Sequence, residues 1–212
     1  MLRLIYPRKC ILCEKILPKN ETDICHDCRS STEPFKKSKR NIPFVAHWTS
    51  LWYYKDTVRD SIHRYKFRRR RTYGHVYGQL LAMDLYNSTA KDVDLICWVP
   101  VYWLRKHKRG YDQSELMAQA LGKELSLPAV PALRKIRNNP AQSGIQGAAQ
   151  RKANVTGAYR VRDISKVSGK RILLIDDVVT TGATASECAR VLLTAGAKEV
   201  FLAAVAASPL DK

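Results

Sequence analysis

A short segment near the C-terminal end of the chain joins two carboxylates to a threonine-rich turn. It reads Ile172-Leu173-Leu174-Ile175-Asp176-Asp177-Val178-Val179-Thr180-Thr181-Gly182-Ala183-Thr184. Backbone N–H groups at a helix N-terminus, with hydroxyl groups beside them, form a cradle for a phosphate dianion. The paired carboxylates cannot bind phosphate, but they suit hydroxyl groups such as those of a ribose. The order of these residues therefore predicts a site for a ribose 5-phosphate.

The segment differs from two better-known phosphate-binding motifs. It contains neither Gly-x-x-x-x-Gly-Lys-Ser/Thr nor Gly-x-Gly-x-x-Gly, so it is not a P-loop or a dinucleotide-binding turn. The alternative is an acidic first turn with threonine caps on a core helix. That alternative explains a single threonine or aspartate but not the whole ordered set.

Four of the six cysteines form two closely spaced pairs, Cys10-x-x-Cys13 and Cys25-x-x-Cys28. Two such pairs can bind one zinc ion in a closed tetrahedral site, which would supply folding energy to a segment too short to build its own core. Disulfides and a redox Cys-x-x-Cys are the alternatives, and the duplication favours zinc. His26 is predicted at the surface, and Cys97 and Cys188 as buried small apolar residues.

The charge of the chain is the unusual feature of its composition. The 212 residues carry a formal net charge of +18, while the 45% hydrophobic content is ordinary for a folded protein and excludes a disordered chain. Such a charge favours polyanionic partners. Basic clusters lie at residues 36–40, 64–71 and 105–109. The DNA-binding candidates are Arg68, Arg69, Arg70, Arg71, Lys106 and Lys108.

The cluster at residues 64–71 also holds two aromatic residues, Tyr65 and Phe67. Exposed aromatic side chains among cations stack on unpaired bases, so the cluster is typical of a surface that binds single-stranded nucleic acid without sequence specificity. The alternative is that both rings belong to the core of a helix, and the sequence favours neither reading.

Apolar patterns predict the elements that position these residues. Buried strands are predicted at residues 94–99, 171–175 and 200–205, with a strand or hairpin arm at 48–54. Helices are predicted at 112–125 and 187–195, and as a pair within 55–86 that breaks near 72–74. A basic loop is predicted after residue 99 and a mobile loop at 137–156. Strand, helix and strand in this order predict an α/β domain with a parallel sheet.

The chain shows no secretory signal and no apolar stretch long enough to span a bilayer. We therefore expect a cytoplasmic protein without membrane insertion. The domain organisation is predicted as a zinc-binding four-cysteine module with a basic linker at 1–40, followed by a larger domain at 41–212.

Residues 172–184 resemble the PRPP-binding signature of type I phosphoribosyltransferases. With the four-cysteine module, nearly the whole chain resembles the ComF family of competence-associated proteins. Further matches are Val99-Pro100, Arg105, Arg109-Gly110-Tyr111-Asp112-Gln113, Gln142, Arg151, Asn154 and Val155. Asp112 stands where the family usually has asparagine. The implied fold is a type I phosphoribosyltransferase-like parallel sheet flanked by helices.

The resemblance also implies roles for individual residues. Asp176 and Asp177 would hold the ribose hydroxyls of PRPP, and the 5-phosphate would lie on Thr180, Thr181, Gly182, Ala183 and Thr184. The loop after residue 99, with Arg105 and Arg109, would meet the pyrophosphate, and Lys66 would lie near the same site. Mg²⁺ would arrive with PRPP, bound mainly by ligand oxygens and water. Residues 139–154 would form a mobile hood.

Three functions are consistent with these residues. The first is a PRPP-binding protein that handles single-stranded DNA during natural transformation, with a competence helicase as the partner that the resemblance implies. The second is an active phosphoribosyltransferase that acts on a base or amine, for which the sequence shows no acceptor pocket or catalytic residue. The third is a non-catalytic PRPP sensor.

Overall fold

The fold was analysed in a computed structural model that describes residues 7–36, 40–86, 93–139 and 148–209. The helices and strands of these residues alternate along most of the chain, as expected for an α/β protein. Their order is α1 His26–Ser31, β1 His47–Tyr53, α2 Asp56–Phe67, α3 Thr72–Leu85, β2 Leu95–Trp98, α4 Trp103–Arg109, α5 Gln113–Leu125, β3 Leu133–Lys135, α6 Ala148–Val155, β4 Tyr159–Val161, β5 Arg171–Val179, α7 Ala183–Thr194 and β6 Glu199–Ala207.

Four parallel strands form the central sheet in the order β1-β6-β5-β2. Leu173 of β5 lies between Ile96 of β2 and Phe201 of β6 in the strand register. The two middle strands are apolar over most of their length because helices cover both faces of the sheet. Ligands bind at the carboxyl ends of the strands in such sheets, so this arrangement fixes where the site lies.

Two apolar cores lie on opposite faces of the sheet. The first packs α2, α3 and α5 against one face, with Ile62, Tyr77 and Leu121 fully buried. The second packs α7 and the β3–β4 pair against the other face. Cys97 and Cys188 are both fully buried in this second core, which confirms their prediction as small apolar residues.

The N-terminal module shares the first core. Ile11, Leu12 and Ile24 are buried in the same cluster as the side chains of α2 and α3. Ser61 of α2 donates a hydrogen bond to the carbonyl of Ile11, and the Arg64 guanidinium donates to the same carbonyl at 3.1 Å. The module therefore helps to position α2, whose C-terminal end reaches the functional site.

Several sequence-based boundaries were wrong. The strand predicted at 171–175 continues to Val179 because it stays paired with β6, so both aspartates belong to the strand. The stretch after residue 99, predicted as a basic loop, contains helix α4. No residue of α4 is buried, so the helix lacks the apolar periodicity by which a helix is recognised.

Other boundaries moved by a few residues. The break between α2 and α3 comes at residues 68–71, slightly earlier than predicted, and places four consecutive arginines in the connection. Helix α7 begins at Ala183 rather than near Glu187, and it ends before Gly196, whose φ of +92° is the left-handed conformation predicted for that position.

The predicted mobile loop at 137–156 is partly helical. Residues 148–155 form α6, which lies in the chain between β3 and β4, the two strands of a small antiparallel pair that no sequence pattern indicated. Residues 140–147, and with them Gln142, lie outside the described residues. Within the part of the chain that the structure describes, no helix is long and apolar enough to cross a membrane.

Candidate functional site

A cleft of 620 Å³ opens at the carboxyl ends of β2 and β5. It collects residues from the central sheet, from the ends of α2 and α4, and from the β3–β4 pair. The charged and hydroxyl-bearing residues that line it are Tyr54, His63, Lys66, Arg105, Arg109, Ser114, Lys135, Arg151, Tyr159, Asp176, Asp177, Thr180, Thr181, Thr184 and Ser208. The structure thus brings the predicted acid pair, threonine turn and three cations into one cleft.

The two aspartates of β5 form a coupled pair in this cleft. The backbone N–H of Asp177 donates to Asp176 Oδ1 at 2.8 Å, and Lys66 Nζ lies 2.8 Å from Asp177 Oδ1. Burial and the neighbouring Asp177 charge raise the pKa of Asp176 to about 8, against the opposing effects of the Asp177 N–H and Lys66. At neutral pH Asp176 therefore keeps its proton, so the pair can both donate and accept hydrogen bonds.

The turn after β5 leads directly into α7 and forms an anion cradle. Gly182 adopts φ +81°, and a Cβ placed there would lie 2.9 Å from Ile42 Cγ1. No side chain caps the N-terminus of α7, whose first N–H groups and helix dipole therefore favour an anion. Thr181 Oγ1 accepts a hydrogen bond from the Ala183 N–H at 3.4 Å.

Arg40 holds the backbone of this turn from the far end of the chain. Its guanidinium donates to the carbonyl of Thr180 and, at 3.0 Å, to the carbonyl of Ser208. The indole of Trp48 donates to the Arg40 carbonyl at 2.9 Å, which fixes the arginine in turn. The sequence analysis assigned Arg40 to a basic linker, because no local pattern indicates a contact between residues 140 positions apart.

The predicted cations of the cleft come from two helices. Lys66 lies in the last turn of α2, and Arg105 and Arg109 lie one turn apart on α4. The Arg109 guanidinium donates to Gln113 Oε1 at 2.7 Å, and burial lowers its pKa. Arg105 donates to the carbonyl of Asn139. Together these side chains give the cleft the positive charge that a pyrophosphate requires.

Lys135 is a cleft residue that the sequence analysis missed. It lies on β3, and its ammonium is 5.3 Å from the ring centre of Tyr159 on the paired strand β4. Burial and the nearby Arg105 lower the pKa of Lys135. Only the antiparallel pairing of β3 with β4 brings these residues to the cleft, and that pairing has no signal in the local sequence.

Asp112 fixes the loop that follows β2. One carboxylate oxygen accepts the Val101 N–H at 2.9 Å, and the other accepts the N–H groups of Ser114 and Glu115 at the start of α5. Burial raises the pKa of Asp112 to about 6. Both oxygens act as acceptors, so this chain uses the carboxylate where the resemblance predicted asparagine.

The four cysteines of the module converge as predicted. The Sγ atoms of Cys10, Cys13, Cys25 and Cys28 all lie within 4.8 Å of one another. The Cys13 and Cys25 sulfurs are 3.7 Å apart, close to the value of about 3.8 Å for tetrahedral ligands at a Zn–S distance of about 2.3 Å. His26 is exposed, as predicted, and four thiolates already complete the ligand set. The cluster is a structural zinc site.

The structure divides the predicted DNA-binding cations into two groups. Arg70 pairs with Glu14 at 3.1 Å, Lys106 pairs with Glu115 at 2.5 Å, and the Arg71 guanidinium lies 5.7 Å from the centre of the Tyr111 ring. The side chains of Arg68, Arg69 and Lys108 contact no carboxylate or ring among the described residues. The second group is therefore the one available to a polyanion.

The two aromatic candidates of the basic cluster also separate. Tyr65 is fully buried and donates a hydrogen bond to the Gln113 carbonyl at 2.8 Å, so it belongs to the core. Phe67 is 60% exposed, and it lines the cleft beneath the Arg109 guanidinium, which lies 5.1 Å from its ring centre.

Two domain families match this chain. Residues 1–39 match the double zinc ribbon domain, and residues 111–212 match the phosphoribosyl transferase domain. DNA utilization protein YhgH of Escherichia coli (strain K12) is 30% identical over 221 residues, which cover 93% of this chain and 96% of that protein.

A second relative and a solved structure are also similar to this chain. Competence protein ComFC of Bacillus subtilis (strain 168) is 25% identical over 189 residues, covering 88% of this chain and 72% of that protein. The glutamine phosphoribosylpyrophosphate amidotransferase from B. subtilis is similar with a TM-score of 0.45 at 24% identity, covering 63% of this chain and 26% of that one. Identity and coverage with YhgH, together with the two domain matches, show that the chain belongs to the ComF family of competence proteins.

Proposed function

We propose that the cleft binds PRPP with Mg²⁺, and that the basic surface beside it binds single-stranded DNA during natural transformation. The meeting of the acid pair, the uncapped turn before α7 and the cations in one cleft carries the first part of the proposal. The names of the relatives, a DNA utilization protein and a competence protein, support the second part.

The cleft offers a complementary group for each part of PRPP. The turn from Thr180 to Thr184 would receive the 5-phosphate at the N-terminus of α7. Asp176 and Asp177 would bind the ribose hydroxyls, and Arg109 with Lys66 would face the pyrophosphate. Carboxylate oxygens and the ligand's own phosphate oxygens are the hard donors that Mg²⁺ prefers, so the site fits a magnesium ion that enters with PRPP.

Calorimetric titration of the zinc-loaded protein with Mg-PRPP tests this assignment. We expect one site per chain, and a loss of affinity of at least about 100-fold in the Asp176→Asn, Asp177→Asn double variant, because each amide keeps only one acceptor oxygen for the diol and the negative charge is lost. Loss of the Asp176 carboxyl should cost little stability because this group resists ionisation. Loss of Asp177 breaks its 2.8 Å ion pair with Lys66, so thermal unfolding of the double variant is measured before the titration. Unchanged affinity would refute the ribose site.

An active transferase is a second candidate, and Lys135 is the observation that favours it. Burial and the neighbouring charge of Arg105 lower the pKa of this lysine, which lines the cleft on the β3–β4 side. A lysine in that state could exchange a proton with an acceptor base. Release of pyrophosphate from PRPP with a panel of bases and amines would support transfer, and PRPP binding without any release would favour the sensor.

The cytoplasmic location remains a proposal from the sequence analysis, and the helicase partner is a proposal that rests on the resemblance alone. A pull-down with zinc-loaded protein and the purified helicase of a competence system would test the partner. Binding that survives moderate salt would support the helicase as a partner. Absence of binding even at low salt, where electrostatic attraction is strongest, would argue against it.

A further inference from the structure

Helix α4 turns its apolar side chains away from the protein. Arg105 and Arg109 are four residues apart and line the cleft, so Trp103 and His107 lie on the opposite side of the helix, and Leu104 and Lys108 lie on one flank between the two. Trp103 is 64% exposed and Leu104 is 44% exposed. An apolar pair that contributes nothing to the core indicates a surface that contacts a ligand.

The end of α2 lies next to the C-terminal end of α4, on the cleft side of that helix. Arg109, the last residue of α4, lies over the ring of Phe67, the last residue of α2, so the two helix ends are adjacent. Phe67 is itself 60% exposed, and Arg68 and Arg69 follow it. Neither arginine contacts a carboxylate among the described residues, and Arg69 has a positive φ of 53°, which is rare for a residue with a side chain.

We infer that the exposed residues of α4 and the end of α2 form a base-stacking strip for single-stranded nucleic acid that runs around α4, with Phe67 at the edge of the cleft and Trp103 on the opposite side of the helix as the stacking residues. Arg68, Arg69 and Lys108 contact the phosphates of the same strand. The inference rests on the proposed function and adds the residues that contact the bases. Exposed rings between unpaired cations match a strand whose bases are unpaired and whose backbone is anionic.

A membrane surface is the main competing ligand for exposed tryptophan, leucine and lysine side chains. Helix α4 has only seven residues and is about 10 Å long, and it offers two apolar side chains to a bilayer. Stable attachment to a membrane takes a longer apolar face or a lipid anchor. The charge and the alternation of rings with arginines therefore favour nucleic acid.

Trp103 provides a direct readout of stacking. Of the four tryptophans, Trp98 is buried and Trp48 and Trp52 are partly buried, so Trp103 is the one open to solvent. Titration of the zinc-loaded protein with an oligothymidine of 15 nucleotides should quench the fluorescence, and Trp103→Phe should remove the quenching. The phenylalanine variant keeps a ring, so its affinity should stay close to that of the unmodified protein.

Alanine variants separate stacking from charge. Trp103→Ala and Phe67→Ala should each weaken binding about tenfold, with no change in the slope of log K against log salt. The Arg68→Gln, Arg69→Gln double variant should instead lower that slope by about 1.4, because each lost phosphate contact on a single strand contributes about 0.7. Arg70→Gln is the matched control with a smaller effect, because Arg70 pairs with Glu14.

The outcomes distinguish failure of this inference from failure of the proposed function. Absence of oligothymidine binding at low salt would overturn the DNA-binding function itself. Binding that Trp103→Ala and Phe67→Ala leave unchanged would overturn the stacking strip and retain the function. A blue shift of Trp103 emission on anionic phosphatidylserine vesicles, without quenching by oligothymidine, would assign the strip to a membrane instead.

Discussion

The phosphate-binding segment and the basic strip are neighbours in space but are built in different ways. Residues 176–184 run along one strand, one turn and one helix start, so their spacing in sequence already determines their arrangement. The strip combines the end of α2 with α4, which begins more than 30 residues later. Whether a cation there is available to a ligand depends on whether the fold places a carboxylate or an aromatic ring beside it. A contiguous motif therefore predicts a site, whereas a cluster of charges predicts only the sign of a surface.

Removal of zinc should have the largest effect and should weaken the strip more than the cleft. The module holds α2 through Ser61 and Arg64, and Glu14 of the module pairs with Arg70. We expect the Cys10→Ser, Cys25→Ser variant to lose several kcal/mol of stability and most of its oligothymidine affinity, because zinc binding supplies folding energy to the module.

Thermal unfolding and a metal assay on the full chain test this prediction. The control is Cys188→Ala, which alters a buried cysteine outside the zinc site and should leave the zinc content unchanged. If the zinc-free variant unfolded only within the first 40 residues and kept its DNA affinity, the module would not support the strip.

Two glycine substitutions should differ in their effects on stability and on PRPP binding, because Gly182 lines the cleft and Gly110 does not. Gly182 and Gly110 share φ +81°, but a Cβ at Gly182 would meet Ile42 at 2.9 Å, whereas nothing lies within 4 Å of one at Gly110. Gly110→Ala should cost about 1 kcal/mol from backbone strain alone. Gly182→Ala should cost more, about 2 kcal/mol or above, and should also weaken PRPP binding.

Chemical denaturation and calorimetry measure both effects. Equal costs for the two variants would show that Ile42 yields easily, and an unchanged PRPP affinity in Gly182→Ala would argue against a phosphate at this turn.

Asp112 fixes the loop between β2 and α5, and its replacement tests how far that loop depends on the carboxylate. Asp112→Asn places an amide N–H₂ against either the Val101 N–H or the N-terminus of α5, since both carboxylate oxygens are acceptors. We expect a loss of about 1–2 kcal/mol, measured by denaturant unfolding at pH 7.5, where the carboxyl is ionised. A fully stable Asp112→Asn variant would show that the loop after β2 does not require the carboxylate.

The affinity for PRPP should depend on pH through Asp176. Asp176 has a pKa raised to about 8, and binding of ribose hydroxyls favours its ionised form as an acceptor. PRPP affinity should therefore rise as the pH increases from 6.5 towards 8, by at most about tenfold per pH unit, and then level off. Binding below pH 8 should release a proton.

Calorimetry in buffers of different ionisation enthalpy measures that proton directly. Asp176→Asn should abolish the release while oligothymidine binding keeps its own pH profile. Proton uptake, or an affinity that falls over this range, would reverse the assignment of Asp176.

Much of the fold and part of the site could be predicted from the sequence, for local reasons. The cysteine spacing predicted the convergence of four sulfurs, and the order of residues 172–184 predicted the strand, turn and helix that bring Asp176 and Thr180 into one cleft. Helix α4 could not be predicted because it buries no side chain, and apolar periodicity exists only where a helix packs.

The residues that the sequence missed act through contacts that only the fold creates. Arg40 holds the Thr180 carbonyl across 140 positions, and Lys135 reaches the cleft through a pair of three-residue strands. Whether Tyr65 was buried or exposed depended on the packing of α2 against α5, which the helical spacing of α2 alone could not decide.

One chain is proposed to hold PRPP in the cleft and single-stranded DNA on the adjoining strip, and the two sites meet at Phe67. Fluorescence anisotropy of a labelled oligothymidine, titrated at increasing Mg-PRPP, tests this most directly. We predict a ternary complex, in which the apparent Kd for DNA shifts and then levels off once the cleft is saturated. An apparent Kd that rises in proportion to PRPP without limit would contradict the account, because it would show that the DNA occupies the cleft itself.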